Sequence, residues 1–402
     1  MKKYVLAISL SAVSATTLGL SQGAYAQTSD ASSSVVIYGI INPSITYTDK
    51  VANATTANPT GTGARLSEDT AVAQGSRIGF KGVEDLGGGL RALFTLENGF
   101  NADTGAMAQG GLLFGRTLVI GLSGDSGTVL FGRQKDYIDD LAGFNGALDF
   151  GSLVNNIHAL NLDRTQGSRV NNSVRYNSPV MGGVVLSGLY GFGEQAGSVG
   201  AGQSFGVGGS YTNGGFAAGT AYFQNKLTAN NTFTGSSDSG IAPGAITGSA
   251  ANVALKTWIV GASYRLGDVK LYGAFSQVKQ PLAVAAGTVM SSFTSTTGGA
   301  FTFGGVNNSK VSIVDLGINY NVTATTQLLG NVVSTRSKFV GAGDGTATQL
   351  SLGVDYFLSK RTDVYLFFAN IRASGMYNPG LYSAPGGSNT QNALITGIRH
   401  KF

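Results

Sequence analysis

The residue types that carry most covalent and metal chemistry are nearly absent from this sequence. The chain has no Cys and only two His, His158 and His400. A metal site built from His and Cys ligands is therefore not expected. We therefore predict no metal and no cofactor. We also predict no catalytic centre, because the motif-like fragment GDSG at 124–127 falls in a predicted short turn. The chemistry that remains available is that of fixed charges.

Basic residues recur in stretches where polar and apolar residues alternate. In GSRIGFKG, Arg77 and Lys81 share one parity, while Ile78 and Phe80 share the other. In NSVRYNSP, Arg175 likewise alternates with apolar neighbours. Successive side chains of a strand point to opposite faces, so each stretch predicts one cationic and one apolar face.

Two further arginines complete this basic set. Arg116 shares its parity with Phe114 and Leu118, so alternation alone does not assign it to the polar face. A β-bulge, a packed outer surface or a wrong choice of face would each explain this. Arg133, at the end of the next alternating segment, is a further candidate.

A second charged set is acidic and lies on the longest predicted connection, residues 134–169. Its carboxylates are Asp136, Asp139, Asp140, Asp149 and Asp163. Apolar residues are expected to anchor the segment to a wall, namely Phe144, Phe150 and Leu153. Connections this long are usually functional. We expect the acids to face the basic set across a narrow space. The alternatives are a solvated loop, and basic residues that merely pair with these acids or reach lipid headgroups.

The N-terminus predicts export. Lys2 and Lys3 precede an apolar stretch that ends near Leu20, and Ala24 and Ala26 form an A-x-A cleavage site. Residues 1–26 are therefore interpreted as a signal peptide and residues 27–402 as one mature domain. Removal of the signal peptide lowers the formal charge of the chain from +5 to +3, because residues 1–26 contain two Lys and no acid.

The composition of the mature chain favours a membrane β-barrel. Charged residues make up 12% of the chain, against about 25% in soluble domains. No apolar run long enough for a helical span follows the signal segment, whereas alternation over about ten residues recurs. A secreted β-sandwich shares this alternation, but it should carry more surface charge and has no need for an amphipathic last strand that ends in Phe402.

Turn chemistry predicts the number of strands. Seven short clusters separate alternating segments: EDLGGG, SGDSG, NSPVMGG, TNGG, RLGD, NVTAT and LSKR. Eight longer polar stretches run at 49–74, 100–110, 134–169, 193–203, 225–255, 278–309, 336–345 and 372–389. Together these fifteen connections join sixteen antiparallel strands. Barrels of this kind have short periplasmic turns and longer outer loops, and sixteen strands leave a water-filled lumen.

Five blocks, in order along the chain, resemble the general porins of Gram-negative outer membranes, most of all the trimeric, anion-favouring subgroup. The blocks are SSVVIYGIINPSITYT, GSRIGFKGVEDLGGGLRALFTLENGF, LFGRTLVIGLSGDSGTVLFGRQ, NNSVRYNSP and ITGIRHKF. The resemblance implies a 16-stranded barrel, a homotrimer and a third loop folded into the lumen as an eyelet. It also implies that Arg77, Arg116 and Arg175 line that eyelet and that Phe402 is read by the outer-membrane assembly machinery.

The expected function is therefore a passive outer-membrane channel for small hydrophilic solutes and ions, with an anion preference. Its expected surroundings are outer-membrane lipid and lipopolysaccharide, and no nucleic acid. The alternatives are a substrate-specific channel for a sugar or organic acid, and a barrel that acts as an adhesin. A sugar channel would need an aromatic run along the pore, and an adhesin would need a passenger domain; the sequence indicates neither.

Overall fold

The computed structural model describes residues 33–53, 61–158, 163–165, 169–194, 196–200, 202–227, 253–279, 308–339, 343–376, 378–382 and 384–402. The predicted signal peptide at 1–26 and most of the predicted loops at 225–255 and 278–309 lie outside the described residues. Within the described ranges, no helix has the length and apolar character needed to cross a membrane.

In the described part of the chain, eighteen strand segments form one antiparallel sheet that closes on itself. They are β1 (Ser34–Ile41), β2 (Pro43–Ala52), β3 (Thr62–Thr70), β4 (Arg77–Gly87), β5 (Leu90–Gly99), β6 (Thr117–Gly124), β7 (Gly127–Lys135), β8 (Arg169–Asn177), β9 (Val184–Gly191), β10 (Ser204–Asn213), β11 (Phe216–Leu227), β12 (Val253–Leu266), β13 (Val269–Lys279), β14 (Asn308–Asn321), β15 (Thr326–Phe339), β16 (Asp344–Phe357), β17 (Thr362–Ser374) and β18 (Thr390–Lys401).

Two pairs of segments are halves of single barrel strands. Only Asn42 separates β1 from β2, and residues 71–76 separate β3 from β4. Because β2 pairs with β3 and β1 pairs with β4, the two broken strands lie side by side. Eighteen segments thus make sixteen barrel strands. This confirms the predicted 16-stranded antiparallel barrel.

One buried asparagine joins the two breaks. The Asn42 N–H donates to Ser76 Oγ at 3.0 Å, and the Gln74 N–H donates to Asn42 Oδ1 at 2.9 Å. Asn42 Nδ2 donates to the Tyr365 hydroxyl at 2.9 Å. A break removes backbone partners from the sheet, and buried backbone groups without partners are costly. The Asn42 side chain replaces some of those partners.

The C-terminal residue closes the barrel. The Phe402 N–H donates to the Gly39 carbonyl at 3.1 Å, and the Gly39 N–H donates to the Phe402 carbonyl at 3.0 Å. A Cβ atom on residue 39 would lie 2.3 Å from the Phe402 ring, so only glycine leaves room for the ring. Strand closure satisfies the backbone groups of both edge strands, as a membrane requires.

The seven predicted turns all join consecutive barrel strands, at 88–89, 125–126, 178–183, 214–215, 267–268, 322–325 and 358–361. The first two long loops differ most from the prediction. The first loop covers 53–61 rather than 49–74, because β2 and β3 extend further than the polar composition of this stretch suggested. The second covers 100–116 rather than 100–110, because β6 begins only at Thr117.

The strands show the two faces that alternation predicts. In β16, Leu350, Leu352 and Val354 are exposed on the outside, while Gln349 and Ser351 are buried inside. Such apolar-out, polar-in alternation is the pattern of a membrane barrel. Alternation therefore assigns the described strand residues to the outer face or to the lumen, except where a register shift interrupts it.

The third long connection folds into the barrel and contains two short helices, α1 (Tyr137–Asp140) and α2 (Ala147–Phe150). Its first part packs on the inner side of β8–β13 through Tyr137, Ile138, Leu141 and Phe144. Its second part packs on β13–β18 through Phe150, Leu153, Val154 and Ile157. Each large apolar side chain buried in this way contributes roughly 1.5–3 kcal/mol. The predicted anchors Phe144, Phe150 and Leu153 are confirmed.

Candidate functional site

The inner surface of β1, β4 and β5 carries a row of three residues that face the lumen. Tyr38, Gly79 and Glu97 lie opposite one another across these strands. A Cβ on residue 79 would lie 2.5 Å from the Tyr38 ring, so glycine lets the ring lie flat across the strand. The Tyr38 hydroxyl then donates to Glu97 Oε2 at 2.9 Å.

Arg116 joins this row from outside the strands. It lies just before β6 in a bend, which explains why strand parity did not assign it a face. Its Nε donates to Glu97 Oε1 at 2.7 Å, and its side chain is buried. A Cβ on Gly75 would lie 2.9 Å from a terminal nitrogen of Arg116 and 3.8 Å from one of Arg77. Arg77 and Arg116 therefore have neighbouring guanidinium groups around one carboxylate.

Arg133 and Arg169 extend the same group of cations. Arg133 Nε donates to the Gly115 carbonyl at 2.8 Å, and Arg169 Nε donates to the Arg116 carbonyl at 2.8 Å. The register of β7 and β8 shifts between Gly132 and Gln134, which turns Arg133 off the strict alternation. Lys135 lies opposite Arg169 across the same two strands.

Lys81 is the most accessible member of the basic set. It lies opposite Val36 and Thr95, on the inner face, and its side chain is exposed. Its Nζ lies 5.6 Å from the centre of the Tyr38 ring. We use the name basic wall for the six cations of this region: Arg77, Lys81, Arg116, Arg133, Lys135 and Arg169. The carboxylates in contact with it are Glu97 and Asp139, so the described part of the wall is net cationic.

Arg175 lies apart from this group and holds the third loop. It faces inward from β8, and its terminal nitrogen forms an ion pair with Asp140 of α1. Its Nε also donates to Asn177 Oδ1 at 2.9 Å and to Ser187 Oγ at 3.1 Å. Burial raises the pKa of Asp140, and the positive charge of Arg175 opposes that rise.

The other predicted third-loop acids also contact the barrel or the loop itself. Asp136 accepts from the Ile138 N–H at 3.0 Å, which caps α1, and pairs with Arg164. Asp139 pairs with Lys135 at 2.8 Å. Asp149 accepts from Asn319 Nδ2 at 2.9 Å. These acids are thus engaged in holding the loop in position.

A buried ion-pair network fixes the returning arm of the loop. His158 lies between two carboxylates, with Nδ1 2.6 Å from Asp163 Oδ2 and Nε2 3.0 Å from Asp315 Oδ2. Asp163 Oδ2 also accepts from Ser276 Oγ at 2.8 Å. Burial by itself lowers the pKa of His158, but the two carboxylates outweigh it and raise the pKa to about 10. His158 is therefore an imidazolium that donates to both acids near neutral pH.

Sequence reasoning missed several residues of this site. Arg169 and Lys135 were not singled out, although they lie at the two ends of the long connection. The available signal was that Lys135 directly precedes an Asp and that Arg169 follows a polar run. Asp315 was missed because it looked like any polar residue of an alternating strand. Among the described residues, no group of His, Cys, Asp and Glu has the arrangement of a metal site.

A closed barrel with a charged inner wall and a loop packed inside it defines the class of transmembrane diffusion channels. The family described as Gram-negative porin matches residues 9–375. The chain belongs to the Gram-negative porin family and is a passive channel of the outer membrane.

Relatives of known description agree with this assignment. An outer membrane porin protein of Bordetella pertussis is 29% identical over 427 residues and covers 100% of both chains. Outer membrane porin protein 32 of Delftia acidovorans is 29% identical over 420 residues, again with 100% of both chains covered. Among solved structures, an anion-selective porin from Comamonas acidovorans is 26% identical, covers 92% of this chain and 100% of its own, and has a TM-score of 0.67.

Proposed function

We propose that this porin favours small anions over cations, and that the basic wall is the element that selects them. The observation that carries this proposal is the imbalance of charge on the inner surface. Six cations gather there, while the acids in contact with them are Glu97 and Asp139. The similarity to the anion-selective porin from Comamonas acidovorans also supports a preference for anions. Low-dielectric walls focus the field of such charges on passing ions.

Within this proposal, solutes pass between the basic wall and the third loop, and no chemical turnover or cofactor is involved. Arg77 and Lys81 meet the solute, because their side chains keep contact with solvent. The side chains of Arg116, Arg133 and Arg169 are buried, so they act on the solute only through the electric field that their charges add to the lumen. The predicted roles of Asp136, Asp140 and Asp149 change accordingly: we propose that these acids hold the loop and oppose the basic wall only weakly.

We also propose the biological setting of the channel. Residues 1–26 are removed as a signal peptide, so that N-terminal sequencing of the mature protein should begin at Gln27. The mature chain assembles as a homotrimer, as the family resemblance implies. Phe402 serves as the signal for the outer-membrane assembly machinery, and lipopolysaccharide surrounds the barrel.

The selectivity proposal is tested by the zero-current potential of the purified protein in a planar bilayer under a salt gradient. We expect an anion preference in the wild type, which falls by about twofold per charge removed in Arg77→Gln/Lys81→Gln, because a unit charge about 8 Å away in water contributes about half a kcal/mol. The preference should also weaken between 0.1 M and 1 M salt, where the screening length drops from about 10 Å to about 3 Å.

Arg336→Gln is the matched control, because it removes one positive charge that lies on the outer side of β15, paired with Asp344 at 2.7 Å. It should leave the potential unchanged. An unaltered selectivity in the Arg77/Lys81 variant would refute the basic wall while leaving the porin fold intact. Arg175→Gln is unsuited to this test, because it would remove the partner of Asp140 and loosen the loop.

A further inference from the structure

Two carboxyl groups share one arginine at the end of the barrel that carries the short turns. Arg399 Nη2 donates to Asp355 Oδ2, and Arg399 Nε donates to Asp363 Oδ2, both at 3.0 Å. Asp355 lies near the end of β16 and Asp363 near the start of β17, on either side of the turn 358–361. We use the name acid pair for Asp355 and Asp363.

The acid pair lies on the inner wall and is buried. The strand neighbours of Asp355, which are Val354 and Tyr356, are exposed on the outside, so alternation puts Asp355 on the lumen side. Asp363 lies opposite Arg399 across β17 and β18, on the same side. Asp355 is 5% exposed and Asp363 is 2% exposed, so both carboxyl groups have given up most of their contact with water.

Each acid has one carboxyl oxygen that no donor satisfies. Among the described residues, neither Asp355 Oδ1 nor Asp363 Oδ1 has a hydrogen-bond partner. Buried polar atoms are normally hydrogen-bonded, and a buried carboxylate oxygen without a donor is costly. The acid pair therefore needs one more hydrogen or positive charge than Arg399 supplies.

The two acids can satisfy each other only when one of them carries a proton. Their carboxyl groups lie within hydrogen-bonding reach of one another. Two carboxylates are both acceptors and repel, whereas a protonated carboxyl group donates to a carboxylate. Carboxyl groups that share a site in this way hold one proton in common and titrate as a unit.

The positive charges around the acid pair belong to the closure of the barrel. Lys401 follows Arg399 on the same face of β18, and Ile40 pairs with both Lys401 and Arg77. Lys401 interacts electrostatically with both acids and with Arg77. The acid pair therefore adjoins the basic wall, and its charge acts on the same part of the lumen.

The other neighbours of the acid pair are uncharged and have partners of their own. Gln327 lies opposite Asp355 from β15, and Tyr365 lies opposite it from β17. Gln327 Nε2 donates to Asn321 Oδ1 at 2.8 Å, and the Tyr365 hydroxyl accepts from Asn42 Nδ2 at 2.9 Å. Among the described residues, Arg399 is thus the cation in direct contact with the acid pair.

We propose that the acid pair binds one proton, and that this proton strengthens the anion preference of the channel. With the proton bound, the acid pair and Arg399 have no net charge; after its loss they carry one negative charge beside the basic wall. The proton comes from water in the lumen and returns to it, so no other group changes its chemistry. The effect on the solute rests on the proposed selectivity of the basic wall, whereas the proton site does not.

A divalent cation suits this site less well than a proton. Calcium takes six to eight oxygen ligands, and Arg399 already contacts one oxygen of each acid. The positive charge of Lys401 opposes a second cation as well. A proton needs only the two unpartnered oxygens.

The test measures the zero-current potential of the full mature protein in a planar bilayer, under a fixed salt gradient, between about pH 5 and pH 9. Isolated carboxyl groups and lysines keep their charge across this range, so a change reports histidine or a carboxyl group that shares a proton. We expect the ratio of anion to cation permeability to be about twofold higher at the acid end, as for one unit charge about 8 Å away in water.

Two variants imitate the protonated state. In Asp355→Asn, the new amide keeps the shape of the side chain and donates to Asp363 at every pH. The permeability ratio should then stay at the acid-end value of the wild type across the range. Asp363→Asn should behave in the same way, and it replaces the first variant if that chain does not reach the compact form on gels without heating.

Two control variants should keep the pH dependence of the wild type. His400→Gln removes the exposed imidazole next to Arg399, which titrates in the same range. Asp125→Asn removes one exposed carboxylate from the short turn 125–126, at the same end of the barrel. A pH dependence that disappeared in His400→Gln, or that stayed the same in both Asn variants of the acid pair, would overturn the proposal. So would a change that follows added calcium at constant pH and vanishes with a chelator.

Infrared spectroscopy detects the proton without any use of selectivity. The C=O stretch of a protonated carboxyl group is distinct from the bands of a carboxylate. The wild type should gain this band toward pH 5, and Asp355→Asn should lack that gain. Equal gains in the two proteins would overturn the proton site. An anion preference absent at every pH would refute the basic wall instead, while the infrared band would still show the bound proton.

Discussion

At the scale of single residues, charges in this barrel divide between two tasks. Arg175, Asp140 and His158 are buried and hold the third loop in place. Arg77 and Lys81 keep contact with solvent. Buried ion pairs lose much when one partner is removed, because the other charge stays behind uncompensated. Mutations of the two groups should therefore separate loop stability from ion selectivity.

The His158 network gives a prediction of pH dependence. The pKa of His158 is raised from 6.5 to about 10 in the folded protein. Its stabilising effect is thus complete below about pH 6.5 and is lost as the pH rises through about 10. His158→Gln should cost about 3–5 kcal/mol near pH 6, and the difference in melting temperature from the wild type should shrink toward pH 10.

Thermal unfolding between pH 6 and pH 11 measures this difference. His400→Gln is the control, because that exposed imidazole contacts the Thr362 hydroxyl at 2.9 Å and no carboxylate among the described residues. If the difference in melting temperature between His158→Gln and the wild type stayed constant over this range, the imidazolium charge would not be what stabilises the loop.

At the scale of elements, the third loop and the two broken strands form one unit. The Ser152 N–H donates to the Val72 carbonyl at 2.8 Å, which connects the loop to the break between β3 and β4. Asn42 connects that break to the neighbouring one. The position of the loop is thus set by the irregular part of the barrel as well as by the apolar contacts of its side chains.

Phe150 is predicted to be the main apolar anchor of the loop. Its side chain is fully buried, and its ring packs edge-on against Phe367 with centroids 5.2 Å apart. Phe150→Ala should cost about 3–5 kcal/mol through the cavity left behind. The loosened loop should give a larger and noisier single-channel conductance in planar bilayers.

Leu148→Ala is the control for this change, because Leu148 lies in the same helix but is 36% exposed. It should leave the open-channel noise close to that of the wild type. If Phe150→Ala and Leu148→Ala gave the same conductance and noise, the loop would not be held by this contact.

At the scale of the whole molecule, the stability of the barrel in the membrane depends on the pairing of β18 with the first barrel strand. β18 pairs with β2 at 44–48 and with β1 at 40–41, and Phe402 adds its own backbone bonds to Gly39. An open sheet edge exposed to lipid would leave backbone groups without partners, at a cost of several kcal/mol each.

Gly39→Leu should therefore reduce the yield of folded barrel strongly, because its side chain would occupy the space of the Phe402 ring. The fraction that migrates as the compact form on gels without heating measures this yield. Gly188→Leu is the control, because a Cβ on residue 188 would meet no atom within 4 Å. Equal yields of the two variants would argue against a closing role for the Phe402–Gly39 contact.

Much of this architecture follows from local sequence. Alternation of apolar and polar residues predicts strands and their two faces, and clusters such as RLGD and TNGG predict the turns between them. The strand count was predictable in this way, because period-2 alternation and turn residues are short-range signals. The inward fold of the third loop was implied by the family resemblance, and its anchors Phe144, Phe150 and Leu153 by their apolar character in a long polar connection.

The partners of each charge were not predictable from local sequence. Arg116 pairs with Glu97 and His158 with Asp315 because closure of the barrel and return of the loop bring distant residues together. Likewise, four lysines on the outer surface lie opposite one another only through the register of β12–β15, which no single segment encodes: Lys256, Lys279, Lys310 and Lys338. Sequence by itself determined the two faces of a strand wherever the alternation is unbroken, as at Arg77, Lys81 and Arg175. Tertiary structure decided which charges meet, since that depends on strand register and loop path, both set by contacts between residues far apart in the chain.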